Sequence, residues 1–168
     1  MAERTIVLVG PTGAGKSAVG AALARLLGVP FRDSDHALAA ELGPIPELYR
    51  SLGEEAFRRA EASAVASLLA DRGPAVLSLG GGAVLDGGTR RLLGAATVVW
   101  LDTDLATVLP RIEGGRPLFG GDVAEAWQRN YDRRRPLYQE VAGLRIDARR
   151  GTPEALAAEI AEGLPGLR

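Results

Sequence analysis

Gly10-Pro11-Thr12-Gly13-Ala14-Gly15-Lys16-Ser17 decides the fold, because it fits the pattern G-x-x-x-x-G-K-[ST] in the right setting. Before it, Thr5-Ile6-Val7-Leu8-Val9 is short, apolar and β-branched, and reads as a buried parallel strand. After it, small and apolar residues recur at helical spacing from Ser17 to Leu27, until Gly28 and Pro30 stop the helix. The chemistry needs this strand–loop–helix order. Glycines let the backbone wrap a phosphate, and the loop amides and helix N-terminus supply donors and partial positive charge. Lys16 can reach the β- and γ-phosphates, and the Ser17 hydroxyl can ligate Mg²⁺. Of 20 basic residues only Lys16 is lysine. Arginine-rich coding explains why lysine is scarce, and the phosphate cradle explains the one that remains.

Outward from the loop, strands and helices alternate. Pro30 to Asp33, Ala75 to Leu79, Thr97 to Leu101 and Leu144 to Asp147 read as further strands. Glu54 to Asp71 reads as a long helix, and Asp122 to about Ala142 as another with a break or kink at Pro136. Pro153 to Glu162 reads as a last helix, with Thr152 as N-cap. This alternation predicts a parallel sheet covered on both faces. The Gly-flanked stretch Ile112 to Asp122 is a candidate mobile loop.

With 168 residues, 46% of them hydrophobic and 24% charged, the chain has material for one globular domain. A net charge of −1 argues against a general nucleic-acid binder. Zero Cys excludes disulfides, thiolate zinc sites and a cysteine nucleophile. One histidine, His36, makes a multi-His metal site impossible, and it reads as structural or incidental. No apolar run approaches the roughly 18 residues of a membrane span. The N-terminus lacks secretory-signal features, so the expectation is a cytoplasmic protein with no membrane partner.

The third strand ends in Ser78-Leu79-Gly80-Gly81-Gly82, with no Walker B acid. The nearest acids are Asp33 and Asp35. If that segment stays extended, both carboxylates face the crevice at the strand's end. One can act through Mg²⁺ and its waters, the other on an acceptor hydroxyl; helix N-capping is the competing use. Arg58 and Glu61 are i,i+3 neighbours on a helix: they form either a plain surface ion pair or one in which Glu61 holds the guanidinium for a substrate carboxylate. The three glycines bring bare backbone to the sheet edge. Arg116, in the Gly-flanked loop, can close on the transferring phosphate.

Together these motifs resemble shikimate kinase over nearly the whole chain. The residues that carry the resemblance are the P-loop, Asp33-Ser34-Asp35, Gly53 through Phe57-Arg58 to Glu61, Gly80-Gly81-Gly82, Arg116-Pro117-Leu118, and Arg134 with Pro136-Leu137-Tyr138. The resemblance implies a P-loop NTPase α/β fold of nucleoside monophosphate kinase type, with a five-stranded parallel sheet flanked by helices and a mobile lid. It implies a single kinase domain over 1–168, with the P-loop at 10–17, a substrate region at about 33–61 and the lid at about 112–122. The implied reaction moves the ATP γ-phosphate to the 3-hydroxyl of shikimate, in aromatic amino acid biosynthesis. Asp35 would bind the acceptor hydroxyls and is the candidate base. Arg58 and Arg134 would clamp the carboxylate beside Gly81 and Gly82. ATP would meet Gly13, Ala14, Gly15, Lys16, Ser17 and Ala18. Ser17 would ligate Mg²⁺, with Asp33 in its water shell. Arg116 would be the lid arginine and Arg111 the one stacked on adenine, with Arg150 and Pro153 near the adenine loop. A monomer is expected.

Two departures stand out. Ala18 occupies a position that is often Thr, and Phe119 replaces a common Leu. Asp35-His36 and the Gly-Lys-Ser-Ala-Val run also resemble gluconate kinase. A non-catalytic ATP-binding switch is the reading from a different class.

Overall fold

β1 (Ile6–Val9) is buried along its whole length: Ile6 and Leu8 face one layer of the protein, Val7 and Val9 the other. This is the two-residue alternation of a strand with helices on both sides. The computed structural model describes residues 4–112 and 122–166. β1 lies at the centre of a parallel sheet of order β2-β3-β1-β4-β5, with β2 at Phe31–Asp33, β3 at Val76–Ser78, β4 at Thr97–Asp102 and β5 at Leu144–Asp147. Ile6 pairs with Val76 on one side and Thr97 on the other.

One face is covered by α1 (Lys16–Leu27) and α8 (Pro153–Gly163), through Val19, Leu23, Leu156 and Ile160. The other is covered by α4 (Glu54–Ala70), α5 (Gly87–Leu93) and α7 (Val123–Val141), through Val65, Leu93 and Tyr138. A satellite cluster of Leu38, Leu48 and Phe57 joins α4 to α2 (Ser34–Leu42) and α3 (Ile45–Leu52). A second, of Val108, Ile112 and Trp127, joins α7 to α6 (Leu105–Ile112). Leu23 is fully buried, and truncating such a core leucine to alanine costs about 2–5 kcal/mol. No helix among the described residues is long and apolar enough to cross a membrane.

Because every strand pair is parallel, the loops that follow all five strands leave from one edge of the sheet. That edge gathers the residues singled out above, as expected for a doubly wound sheet.

Two expectations need correction. The chain does not stay extended through Asp35. It turns helical at Ser34 because Asp33 Oδ1 accepts hydrogen bonds from the Asp35 and His36 amides and so caps α2. Nor does Pro136 break its helix: α7 runs unbroken from Val123 to Val141. Contacts on both sides of the proline, at Tyr131 and Tyr138, hold the helix to the sheet edge. Helices α2, α3, α5 and α6 were not anticipated. They are short, and tertiary packing rather than propensity sustains helices of that length.

Candidate active site

The glycine loop begins at a position only glycine fits. Gly10 has φ +145°, and a Cβ there would lie 2.3 Å from the Leu101 carbonyl oxygen. The loop's carbonyls are then taken up one after another. Lys16 Nζ donates to the carbonyls of Gly10 at 2.7 Å and Pro11 at 2.9 Å. Trp127 Nε1 donates to the Thr12 carbonyl at 2.8 Å, and Arg111 to the Gly13 carbonyl at 2.7 Å. Helix α1 starts with no side-chain cap. Its first-turn amides are therefore available donors at the positive end of the helix dipole, which is an anion site.

Beside this cradle, Ser17 Oγ donates a 2.5 Å hydrogen bond to Asp33 Oδ2. Asp33 thus takes up the capping use weighed from sequence through Oδ1, while Oδ2 meets the P-loop serine. A hydroxyl beside a carboxylate is a hard-oxygen donor pair, and Mg²⁺ in kinase sites takes one or two such groups plus phosphate oxygens. No cluster of three or more His, Cys, Asp or Glu suited to a metal occurs among the described residues. The pair therefore fits a metal that arrives with nucleotide rather than one held in a protein cage.

Asp35, in the first turn of α2, points elsewhere. A Cβ built on Gly80 would lie 2.8 Å from Asp35 Oδ1 and 2.9 Å from Glu61 Oε2, so both carboxylates lean on this one glycine. Gly80 itself is held by its amide, which donates to the buried Ser34 hydroxyl at 3.0 Å. Glu61 Oε1 accepts from Arg58 Nη1 at 2.8 Å, and the two side chains are only 5% and 19% exposed. Burial pushes the Glu61 carboxyl up from its ordinary pKa, against the opposing pull of Arg58.

The Arg58 guanidinium lies flat against Gly82, where a Cβ would come within 2.3 Å of Nη1. Arg134 Nη1 lies 3.5 Å from the Cβ position of Gly81. Burial lowers the Arg134 pKa, and the nearby Arg58 charge lowers it further. Two desolvated guanidiniums thus repel each other across a glycine turn, and the Nε of each is buried without a hydrogen-bond partner. An anionic group between them relieves both problems at once.

The structure therefore brings together Lys16, Ser17, Asp33, Asp35, Arg58, Glu61, Gly81, Gly82, Arg111 and Arg134. Ala18 sits exposed in the first turn of α1. Arg150 lies in the exposed turn after β5, and Pro153 is the half-buried first residue of α8. Arg116 lies outside the described residues.

Sequence reasoning missed Asp102, Trp127 and Tyr131, and named Ser34 and Tyr138 only within motifs, with no contact of their own. Tyr131 donates to Asp102 Oδ1 at 2.7 Å, and Asp102 also receives Arg145. Burial, reinforced by the Asp102 carboxylate, pushes the Tyr131 hydroxyl up to about 12. Tyr138 donates to the Gly81 carbonyl at 2.5 Å. A signal did exist: Trp127, Tyr131, Arg134 and Tyr138 are spaced 4, 3 and 4, which is one helix face.

Known proteins resemble this chain in sequence and fold. Residues 12–165 match the family model described as Shikimate kinase. A shikimate kinase of Salinispora arenicola is 46% identical over 158 residues, 92% of this chain and 94% of its own. One of Corynebacterium efficiens is 42% identical over 95% of this chain and 96% of its own. In structure, shikimate kinase from Acinetobacter baumannii in complex with shikimate superposes with TM-score 0.89 at 36% identity, covering 95% of this chain and 91% of that one.

Proposed function

This chain belongs to the shikimate kinase family, and from that premise we propose that it transfers the γ-phosphate of ATP to the 3-hydroxyl of shikimate. The products are shikimate 3-phosphate and ADP. The observation that carries this reading is the pair of half-buried guanidiniums, Arg58 against Gly82 and Arg134 near Gly81, with Asp35 beside Gly80 and the P-loop adjacent. A small acid bearing hydroxyls needs both kinds of group: its carboxylate meets arginine and its hydroxyls meet aspartate.

In this reading the whole chain is one kinase domain that acts as a monomer. The cradle is 10–17, the acceptor region about 33–61 and the lid about 112–122. Gly13, Ala14, Gly15, Lys16, Ser17 and Ala18 bind the nucleotide phosphates. Arg111, Arg150 and Pro153 bind the adenosine end. Arg58, Arg134, Gly81 and Gly82 hold the acceptor carboxylate, and Glu61 sets the angle of Arg58. Ser17 and Asp33 hold Mg²⁺, which neutralises charge on the phosphate oxygens when bound.

Asp35 orients the acceptor hydroxyl toward the γ-phosphorus. The hydroxyl oxygen bonds to phosphorus as the bond to the ADP oxygen breaks, and the hydroxyl proton passes to the Asp35 carboxylate. Phosphoryl transfer of this kind rests mainly on positioning and charge stabilisation. Lys16, and Arg116 from the lid, provide that positive charge.

The test is ADP release measured with a panel of acceptors. Turnover dependent on shikimate supports the reading. Turnover only with gluconate replaces it with a gluconate-type kinase. ATP binding with no acceptor-dependent turnover replaces it with a nucleotide-binding switch.

A further inference from the structure

Four side chains on one face of α7 reach the loops and strand ends at the sheet edge. Trp127 holds the Thr12 carbonyl, Tyr131 holds Asp102, Arg134 faces Gly81, and Tyr138 holds the Gly81 carbonyl. The last of these is the most constrained. Tyr138 is fully buried, and its ring is 6.0 Å from that of Trp100. Its hydroxyl lies 2.5 Å from the Gly81 oxygen. Residue 138 is one helical turn beyond Arg134, and the two side chains interact through the tyrosine hydroxyl.

The Gly81 carbonyl and the Gly82 N–H belong to one trans peptide plane and point in opposite directions. With the carbonyl turned inward to a fully buried hydroxyl, the Gly82 N–H is turned away from the core. Gly82 is also the residue against which the Arg58 guanidinium lies. Glycines on both sides of this plane leave the peptide little intrinsic resistance to rotation. The Ala83 N–H closes the turn on the Gly80 carbonyl at 3.0 Å, and the Tyr138 hydroxyl adds an outside anchor on the peptide at its centre.

We propose that Tyr138 is a positioning residue for the acceptor: by holding the Gly81 carbonyl it fixes the 81–82 peptide so that the Gly82 N–H faces the acceptor carboxylate between Arg58 and Arg134. The inference rests on the acceptor reading given above. Burial holds the Tyr138 hydroxyl well above the ordinary tyrosine pKa, which favours the protonated, donating form. Tyr138 touches no reacting atom; it acts through the 81–82 peptide, and the same hydroxyl also meets Arg134.

The test is Tyr138→Phe in the full chain, which keeps the ring and removes only the hydroxyl. The expected result is a rise of about tenfold or more in the shikimate KM, the size of one lost hydrogen bond to a charged group. The kcat and the ATP KM should stay within about twofold. For the shikimate analogue whose carboxylate is reduced to a hydroxymethyl group, wild type and variant should differ little. A general loss of structure would lower the melting temperature and kcat together and would not separate the two acceptors. An unchanged shikimate KM, or an equal rise for both acceptors, overturns the proposal. Amide hydrogen exchange gives a second readout that needs no turnover. Exchange at Ala83, whose N–H closes the turn on the Gly80 carbonyl at 3.0 Å, should speed up in the variant as the 81–82 peptide loosens, while the β1 and β4 amides stay protected. Unchanged exchange at Ala83 overturns the proposal even if wild type proves inactive with shikimate, an outcome that would remove only the acceptor reading.

Discussion

Ser17 Oγ and Asp33 Oδ2 are joined by a 2.5 Å hydrogen bond, while the other oxygen of the same carboxylate caps α2. One aspartate therefore ties the glycine-rich loop to the start of α2. The two jobs separate by mutation. Asn caps helices as well as Asp does, so Asp33→Asn should keep the melting temperature while raising the Mg²⁺ concentration needed for half-maximal activity. Asp33→Ala should raise that requirement similarly and also lose about 1 kcal/mol of stability with the cap. Equal Mg²⁺ requirements in wild type and Asp33→Asn would remove Asp33 from the metal site.

Arg58 packs on Gly82 with no space between them. Arg58→Ala should raise the shikimate KM about ten- to a hundredfold, as expected for charged hydrogen bonds worth about 1.5–3 kcal/mol, and leave the ATP KM unchanged. Gly82→Ala should act in the same direction more mildly, because its methyl displaces the flexible end of Arg58. Gly10→Ala is a contrast. Its methyl meets the Leu101 backbone at a positive φ, so loss of folding is expected. Steady-state kinetics with both substrates, plus thermal melts, check all three.

Asp35 lies beside Gly80 and Glu61, in the first turn of α2. Asp35→Asn keeps the size of the side chain and removes its charge and basicity. It should lower kcat at least about a hundredfold, the range for loss of general base catalysis. Near-normal kcat would show that positioning by the remaining groups suffices.

Glu61 carries a pH signature. Its pKa is raised in the folded protein above the ordinary value of 4.5, first through burial. The folded state then binds the proton more tightly than the unfolded state does. Its contribution to stability therefore falls as pH rises from the unfolded pKa through the folded one. The stability difference between wild type and Glu61→Gln should shift against wild type as pH climbs above 4.5. A pH-independent difference, measured by denaturant titration, would contradict the assigned burial effect.

Lys16 is the chain's single lysine, and its ammonium is bonded to two loop carbonyls. An amine-directed reagent should modify the N-terminus quickly and Lys16 slowly, and saturating ATP should suppress the slow reaction. Peptide mapping after labelling distinguishes the two sites. Labelling of Lys16 that ATP does not affect would contradict its place in the phosphate cradle.

Much of the fold could be read from the chain because its signals are local. The β-branched run before Gly10 and the helical spacing after Ser17 fix a strand, a loop and a helix within about twenty residues. The β5 bounds, Leu144–Asp147, and the Thr152 cap of α8 were legible for the same reason. Asp33 and Asp35 were legible as residues but not as a geometry. Two competing local options, an extended segment and a capped helix, share that pattern, and the cap prevailed.

The sequence alone determined the P-loop, its lone lysine, and the i,i+3 pairing of Arg58 with Glu61, because helix spacing specifies that contact without any other part of the chain. Tertiary structure alone decided what faces those groups. The sheet order places Gly80 to Gly82 beside the cradle, and α7 reaches back across 57 residues to the Gly81 carbonyl and across 115 to the Thr12 carbonyl. Contacts of that separation have no periodic signature. They exist because a parallel sheet brings every strand end to one edge, and because burying Trp127 and Tyr138 leaves their polar atoms needing partners there.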